Sequence, residues 1–329
     1  MTDTYPFPVP ETLAVWTAQR ESALETFNRL LGDLPPLFIP APTTHSVEQR
    51  EGYTLETFSF HNGADDTVHG YFLIPDGVTE PAPAVFYLHA HGGNYGRGKD
   101  ELFRESPMGK SPVADFMAAG YVVMAIDCYA FGARQTQGPG GPMPAGREVE
   151  TAWFKRHLWE GKTLWGMIVR DDQLGLNLLL SRPEVDPTRV AITGMSLGGS
   201  RATWLGALDS RVKSVIPVAQ MTRYADFAAA GDFTGHSVYY FVPGALVSGV
   251  DMEILTSLVA PRSQLILIGD SDPLSPFEGV RKIDAYTQRV YTLYGVPAQF
   301  ETVVYEGIKH AYTPDMYAAA LAQLKKDLR

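Results

Sequence analysis

Cysteine is all but absent from this chain: Cys128 stands alone among 329 residues. That excludes an internal disulfide and a cysteine-built zinc site. Cys128 follows the apolar run Tyr121–Ile126, so a buried packing role is expected for it. No run of about 18 apolar residues occurs, which leaves no candidate for a membrane-spanning helix. Cationic excess is lacking too: 27 Lys and Arg stand against 37 Asp and Glu, a formal net charge of −10. Phosphates need a cationic surface, so nucleic acid is not an expected partner. The opening residues MTDTYPFPVP contain no basic segment followed by an apolar one. No secretory signal is therefore read, and a cytoplasmic protein is expected. Internal repeats, low-complexity tracts and long charge runs are also missing.

What is present is ordinary globular composition, 45% hydrophobic and 19% charged. The length suits one large domain or two small ones. Residues 11–31 place Leu13, Trp16, Leu24, Phe27, Leu30 and Leu31 at mostly helical spacing, ended by Pro35-Pro36. Residues 1–50 are accordingly expected as an N-terminal helical segment, with an α/β domain over 51–329. Thr54–Phe60 and Thr67–Ile74 flank Asn62-Gly63 and predict two strands joined by a turn. Further strands are predicted at Ala84–Leu88, Tyr121–Ile126, Arg189–Thr193, Ser214–Val218, Gln264–Ile268 and Gln299–Tyr305. Helices are predicted at Ser111–Ala119, Thr163–Ser181, Leu197–Leu208, Glu278–Tyr294 and Pro314–Leu328. Continuous apolar strands separated by crossover helices imply a mostly parallel central sheet covered on both faces. Ligands of such sheets bind at the carboxyl ends of the strands. The stretch 220–261, rich in Phe, Tyr, Gly and Pro, breaks this rhythm. It is expected as an insertion over the active site, the alternative being a purely structural flap.

The densest signal is Gly194-Met195-Ser196-Leu197-Gly198-Gly199 between a predicted strand and a predicted helix. This G-x-S-x-G pattern makes the sharp strand-to-helix turn of the α/β-hydrolase fold, which exposes a serine hydroxyl at the top of the sheet. Small residues let neighbouring backbone approach, and the helix N-terminus favours a developing oxyanion. Serine is a poor nucleophile until a base takes its proton. In this fold the chain order is serine, acid, histidine. Downstream of Ser196 only His236 and His310 are available. His236 falls inside the irregular stretch, whereas His310 follows the last predicted strand, where the base is required. The acid is expected after Gln264–Ile268, where Asp272 is preferred and Asp270 is the alternative, read as a turn residue. Oxyanion donors are expected at the Leu197 amide and in the loop His89-Ala90-His91-Gly92-Gly93, with Gly93 first and Gly92 second. His89 and His91, two apart with no nearby carboxylate, are weak as a metal pair. No metal and no cofactor is expected. Asp127 and Arg134 are expected to pair structurally.

With these residues in place, the chain resembles the dienelactone-hydrolase and acetyl-xylan-esterase-like branch of the α/β-hydrolases over roughly residues 65–329. The likeness extends beyond Ser196, Asp272 and His310. It includes His91-Gly92-Gly93, the segment Gly120–Asp127 followed by Phe131-Gly132-Ala133-Arg134, Tyr239–Gly244, and Ala260-Pro261-Arg262. The resemblance implies a hydrolase of small carboxylic esters acting through an acyl-enzyme on a small-molecule substrate. Dienelactone hydrolases carry cysteine where this chain has Ser196, which points away from dienelactone cleavage. The cephalosporin and xylan deacetylases carry Ser-Gln-Gly-Gly and His-Glu, where this chain reads Ser196-Leu197-Gly198-Gly199 and His310-Ala311. Hydrolysis of C–C or amide bonds by the same three residues, and a non-catalytic ligand-binding role, are the competing readings.

Overall fold

The computed structural model describes residues 5, 7–64, 66–105 and 108–329. Among them, nine strands build one sheet: β1 Thr43–Arg50, β2 Tyr53–His61, β3 Thr67–Pro75, β4 Ala82–Leu88, β5 Val122–Ile126, β6 Val185–Met195, β7 Ser214–Val218, β8 Ser263–Gly269 and β9 Phe300–Tyr305. Their spatial order is β1-β2-β3-β5-β4-β6-β7-β8-β9. Pairing is antiparallel from β1 through β3 to β5 and parallel from β5 through β4 to β9. The helices are α1 Leu13–Leu31, α2 Val113–Ala118, α3 Arg147–Trp159, α4 Leu164–Leu180, α5 Leu197–Leu208, α6 Tyr224–Ala230, α7 Met252–Ser257, α8 Phe277–Leu293 and α9 Pro314–Asp327. None is long and apolar enough to cross a membrane among the described residues.

Alternation along the central strands sorts the core into two layers. Val122, Met124 and Ile126 of β5 join one apolar cluster with Trp16, Trp165 and Trp204. Val123 and Ala125 join the other, with Phe116 and Tyr317. Every residue of β5, β7 and β8 is buried, as expected of a parallel sheet sandwiched between helices. Burying each large apolar side chain stabilises by about 1.5–3 kcal/mol. Three helices start on threonine side chains that accept an early amide: Thr12 for α1, Thr163 for α4 and Thr313 for α9.

Three expectations change. Residues 1–50 are not only helical: Thr43–Arg50 forms β1, registered along β2 from Thr43↔Ser59 to Arg50↔Tyr53. This edge strand is mostly solvent-exposed, so no alternating burial pattern marked it. Helix α3 was not foreseen, because only Val149, Glu150, Trp153 and His157 of its thirteen residues are buried. The stretch 220–261 divides in two. Residues 234–240 border the cavity described below, whereas Met252, Ile254 and Leu255 of α7 are fully buried in the core and α7 packs on α5 and α8.

Candidate active site

Four strand ends converge on one cavity of about 590 Å³. β4 leads into residues 89–97, β6 into Ser196, β8 into Asp270–Ser275, and β9 into the loop carrying His310. That convergence places the site at the carboxyl edge of the sheet.

Ser196 adopts φ 56° and ψ −112°, a left-handed φ that non-glycine residues rarely take. The turn is enforced by packing. A Cβ on Gly194 or on Gly198 would overlap the Leu88 carbonyl oxygen, and one on Gly199 would meet the Val218 carbonyl at 2.5 Å. The Ser196 amide donates to that same Val218 oxygen at 2.8 Å. Ser196 is the N-cap residue of α5, yet its side chain caps nothing. Its Oγ instead lies 2.8 Å from His310 Nε2. His310 Nδ1 lies 2.7 Å from Asp272 Oδ2, and the buried Asp272 also accepts the Leu274 amide at 2.9 Å through Oδ1. The structure thus brings the three residues into one hydrogen-bonded series, although 114 positions separate Ser196 from His310. Asp270 is turned away: its Oδ1 accepts the Gly307 amide at 2.7 Å and the Ser271 hydroxyl at 3.0 Å.

Leu197 is the first residue of α5, where helix geometry leaves an amide without an intrahelical acceptor. The loop-side donor expected at Gly93 needs correction. The Gly93 amide is engaged by the His91 ring, donating to Nδ1 at 3.1 Å. The Ala90 amide is also engaged, by Glu101 Oε1 at 3.0 Å. The amides of His91 and Gly92, on the same cavity wall, take over that candidacy.

Because Nδ1 of His91 accepts a proton-bearing amide, its ring proton belongs on Nε2, 3.4 Å from Glu150 Oε1. Buried Glu150 accepts the Tyr95 hydroxyl at 2.9 Å and the Ser237 hydroxyl. One carboxylate on α3 therefore gathers the 89–97 loop and the 234–240 wall. Sequence reasoning missed it; the available signal was an acidic residue between Val149 and Trp153 at helical spacing. His89 has both ring nitrogens on backbone, to Ala90 O at 2.8 Å and Cys128 N at 3.0 Å.

The expected Asp127–Arg134 ion pair does not form. Asp127 takes Lys99 Nζ at 2.7 Å, while Arg134 reaches Asp66 and Asp171, each at 2.9 Å. At Asp127 itself, Arg134 donates to the backbone oxygen, at 3.0 Å, and not to the carboxylate. Beneath Ser196, Arg201 of α5 makes a two-pronged contact with Asp172 of α4, at 2.9 and 2.5 Å. Cys128 is buried, as its apolar approach implied, and burial pushes its thiol up to about 12.

A mostly parallel sheet, with a serine at the strand-to-helix turn and an acid and a histidine on later strand ends, defines an α/β-hydrolase. The chain belongs to the acetyl xylan esterase (AXE1) family, whose profile matches residues 40–239, and is a carboxylic ester hydrolase. It is 34% identical over 277 residues to the Bacillus subtilis (strain 168) protein YtaP, spanning 84% of this chain and 89% of that one. A Bacteroides fragilis NCTC 9343 structure superposes with a TM-score of 0.77 at 18% identity, covering 98% of this chain and 92% of the other. The glucuronoyl esterase from Solibacter usitatus gives 0.73 at 17% identity, covering 100% and 98%. At these identities the structural likeness is one of fold.

Proposed function

We propose that this enzyme removes small acyl groups, acetyl foremost, from hydroxyl-rich alcohols by acyl transfer through Ser196. The observation that carries the reading is the continuous series Ser196 Oγ–His310–Asp272, at 2.8 and 2.7 Å. His310 Nε2 takes the hydroxyl proton as Ser196 Oγ bonds to the ester carbonyl carbon. Charge gathers on the carbonyl oxygen, where the Leu197 amide and one amide of His91 or Gly92 receive it. The tetrahedral species collapses, the alcohol oxygen leaves, and His310 returns the proton to it. Water then attacks the acyl-serine with His310 again as base, releasing the carboxylic acid and restoring the hydroxyl. Asp272 stays ionised and keeps the imidazole oriented.

Two features support an acetyl group on a polar alcohol. The family description names acetyl xylan esterase. The cavity wall combines Tyr239, Tyr240 and Leu274 with polar His91, Tyr95 and Arg147, a lining suited to a hydroxylated ligand more than to a fatty chain. The test is burst-phase release of p-nitrophenol from p-nitrophenyl acetate and from longer acyl esters, beside release of acetate from acetylated sugars. Ser196→Ala is expected to abolish the burst and labelling by a fluorophosphonate. Near-full activity of Ser196→Ala would remove Ser196 from the mechanism, and a preference for long acyl chains would overturn the acetyl assignment.

A further inference from the structure

Building on the roles just assigned to Ser196, His310 and Asp272, we propose that His236 is a positioning residue of the same site: it grips the loop that carries Asp272 and so holds the carboxylate on the His310 ring.

His236 Nε2 lies 2.8 Å from the Leu274 carbonyl oxygen. A carbonyl only accepts, so Nε2 carries the proton and the ring is held in one tautomer. Leu274 is then bonded on both sides. Its oxygen takes the His236 N–H, and its own N–H meets Asp272 Oδ1 at 2.9 Å. The other carboxylate oxygen, Oδ2, faces His310. Any tilt of the Leu274 backbone releases Oδ1 and frees the carboxylate to rotate away from the imidazole. Pro273, with its fixed φ, joins Asp272 to Leu274 and transmits the constraint.

The ring is itself well placed for this task. Phe227 meets it edge-on at 4.7 Å and Tyr240 at 4.4 Å. Tyr240 Oη lies 2.8 Å from Ser200 Oγ, one turn along α5 from Ser196. The 234–240 wall therefore reaches the site by two arms, one to the acid loop and one to the helix behind the serine. Burial holds the His236 pKa below its ordinary value against the raising influence of the bond to the Leu274 carbonyl and, more weakly, of Asp272 and Asp232, so the neutral N–H donor persists. The loop's far side is tied separately, Ser275 Oγ to Gln220 O at 2.8 Å and Thr222 Oγ1 to Pro276 O at 2.9 Å. Those bonds bypass Leu274. His236 bonds directly to the residue whose amide meets Asp272 Oδ1.

The experiment compares His236→Phe, His236→Asn and His236→Gln with the wild type on p-nitrophenyl acetate. Phe keeps the flat ring without a donor, Asn carries a donor that falls short of the Nε2 position, and Gln places an amide N–H near it. A displaced acid lowers kcat rather than binding. His236→Phe and His236→Asn are expected to lose about 10-fold to 100-fold in kcat, with KM within about twofold. His236→Gln is expected to recover most of the loss. Wild-type kcat in His236→Phe, or equal losses in folded His236→Asn and His236→Gln, would overturn the proposal; if the Phe variant does not fold, the Asn and Gln pair decides. Ser196→Ala run in parallel separates the two readings. An active Ser196→Ala unseats the assigned mechanism, whereas an inactive one beside a wild-type-like His236→Phe removes the His236 role alone.

Discussion

Asp270 and Asp272, two positions apart on one loop, send their carboxylates to different partners: Asp272 meets His310 Nδ1 at 2.7 Å and Asp270 meets the Gly307 amide at 2.7 Å. Asp272→Asn keeps the shape but presents a donor where the imidazole N–H needs an acceptor. It is expected to lower kcat by about 10⁴-fold, in line with loss of the tautomer-setting acid. Asp270→Asn touches neither the serine nor the histidine, and its kcat is expected within about threefold of wild type, on the same ester assay. Comparable losses from both substitutions would dissolve the distinction.

Gly198 is required by contact with Leu88 rather than by flexibility alone. The Cβ of Gly198→Ala would overlap a backbone carbonyl, which cannot swing aside as a side chain does. The variant is expected to lose about 1–3 kcal/mol in urea unfolding through overpacking. Fluorophosphonate labelling of the folded fraction should slow as well, because the turn that presents Ser196 must shift. Unchanged stability together with an unchanged labelling rate would contradict the packing account.

Arg134 is wholly buried between Asp66 and Asp171, and burial already pushes the Asp171 carboxyl up to about 6. Arg134→Met strands two carboxylates in the interior, and a loss of about 3–5 kcal/mol is expected in chemical denaturation. Since Arg134 is absent from the cavity wall, the folded variant should keep KM. A variant as stable as the wild type would show that this buried pairing contributes little.

Glu253 supplies a pH test. Burial raises its carboxyl from 4.5 to about 7, with Arg223 Nε at 2.8 Å opposing the shift. The folded state therefore binds this proton more tightly than the unfolded chain. That contribution to stability is fully present below about pH 4.5 and is lost as pH rises through about 7. Glu253→Gln cannot titrate. The difference in unfolding free energy, wild type minus variant, should therefore fall between pH 5 and pH 7. Parallel pH profiles for the two proteins would refute the shift.

The strand-to-helix turn at Ser196 could be read from the chain because its signals are local: glycines at 194 and 198, an apolar strand before and a helix after. His310 was readable by elimination, since only two histidines follow Ser196. Strand β1 was not, because an exposed edge strand needs no alternation of burial. Glu150 lay hidden because α3 buries a narrow face, and a buried carboxylate has no signature in composition. The Gly93 amide was misjudged for a similar reason: its acceptor is the His91 ring, and ring orientation is a matter of packing against Phe131, Tyr95 and Tyr239.

Local chain chemistry thus determined which turn would thrust out a serine and that a parallel sheet would carry it, because backbone φ, glycine sterics and apolar periodicity act over a few residues. Only the folded arrangement decided that Asp272 faces the imidazole, that Arg134 pairs with Asp66 and Asp171, and that His236 reaches the acid loop. Those outcomes depend on distances between residues 37 or more positions apart, and such distances are set by how helices and loops close over the sheet.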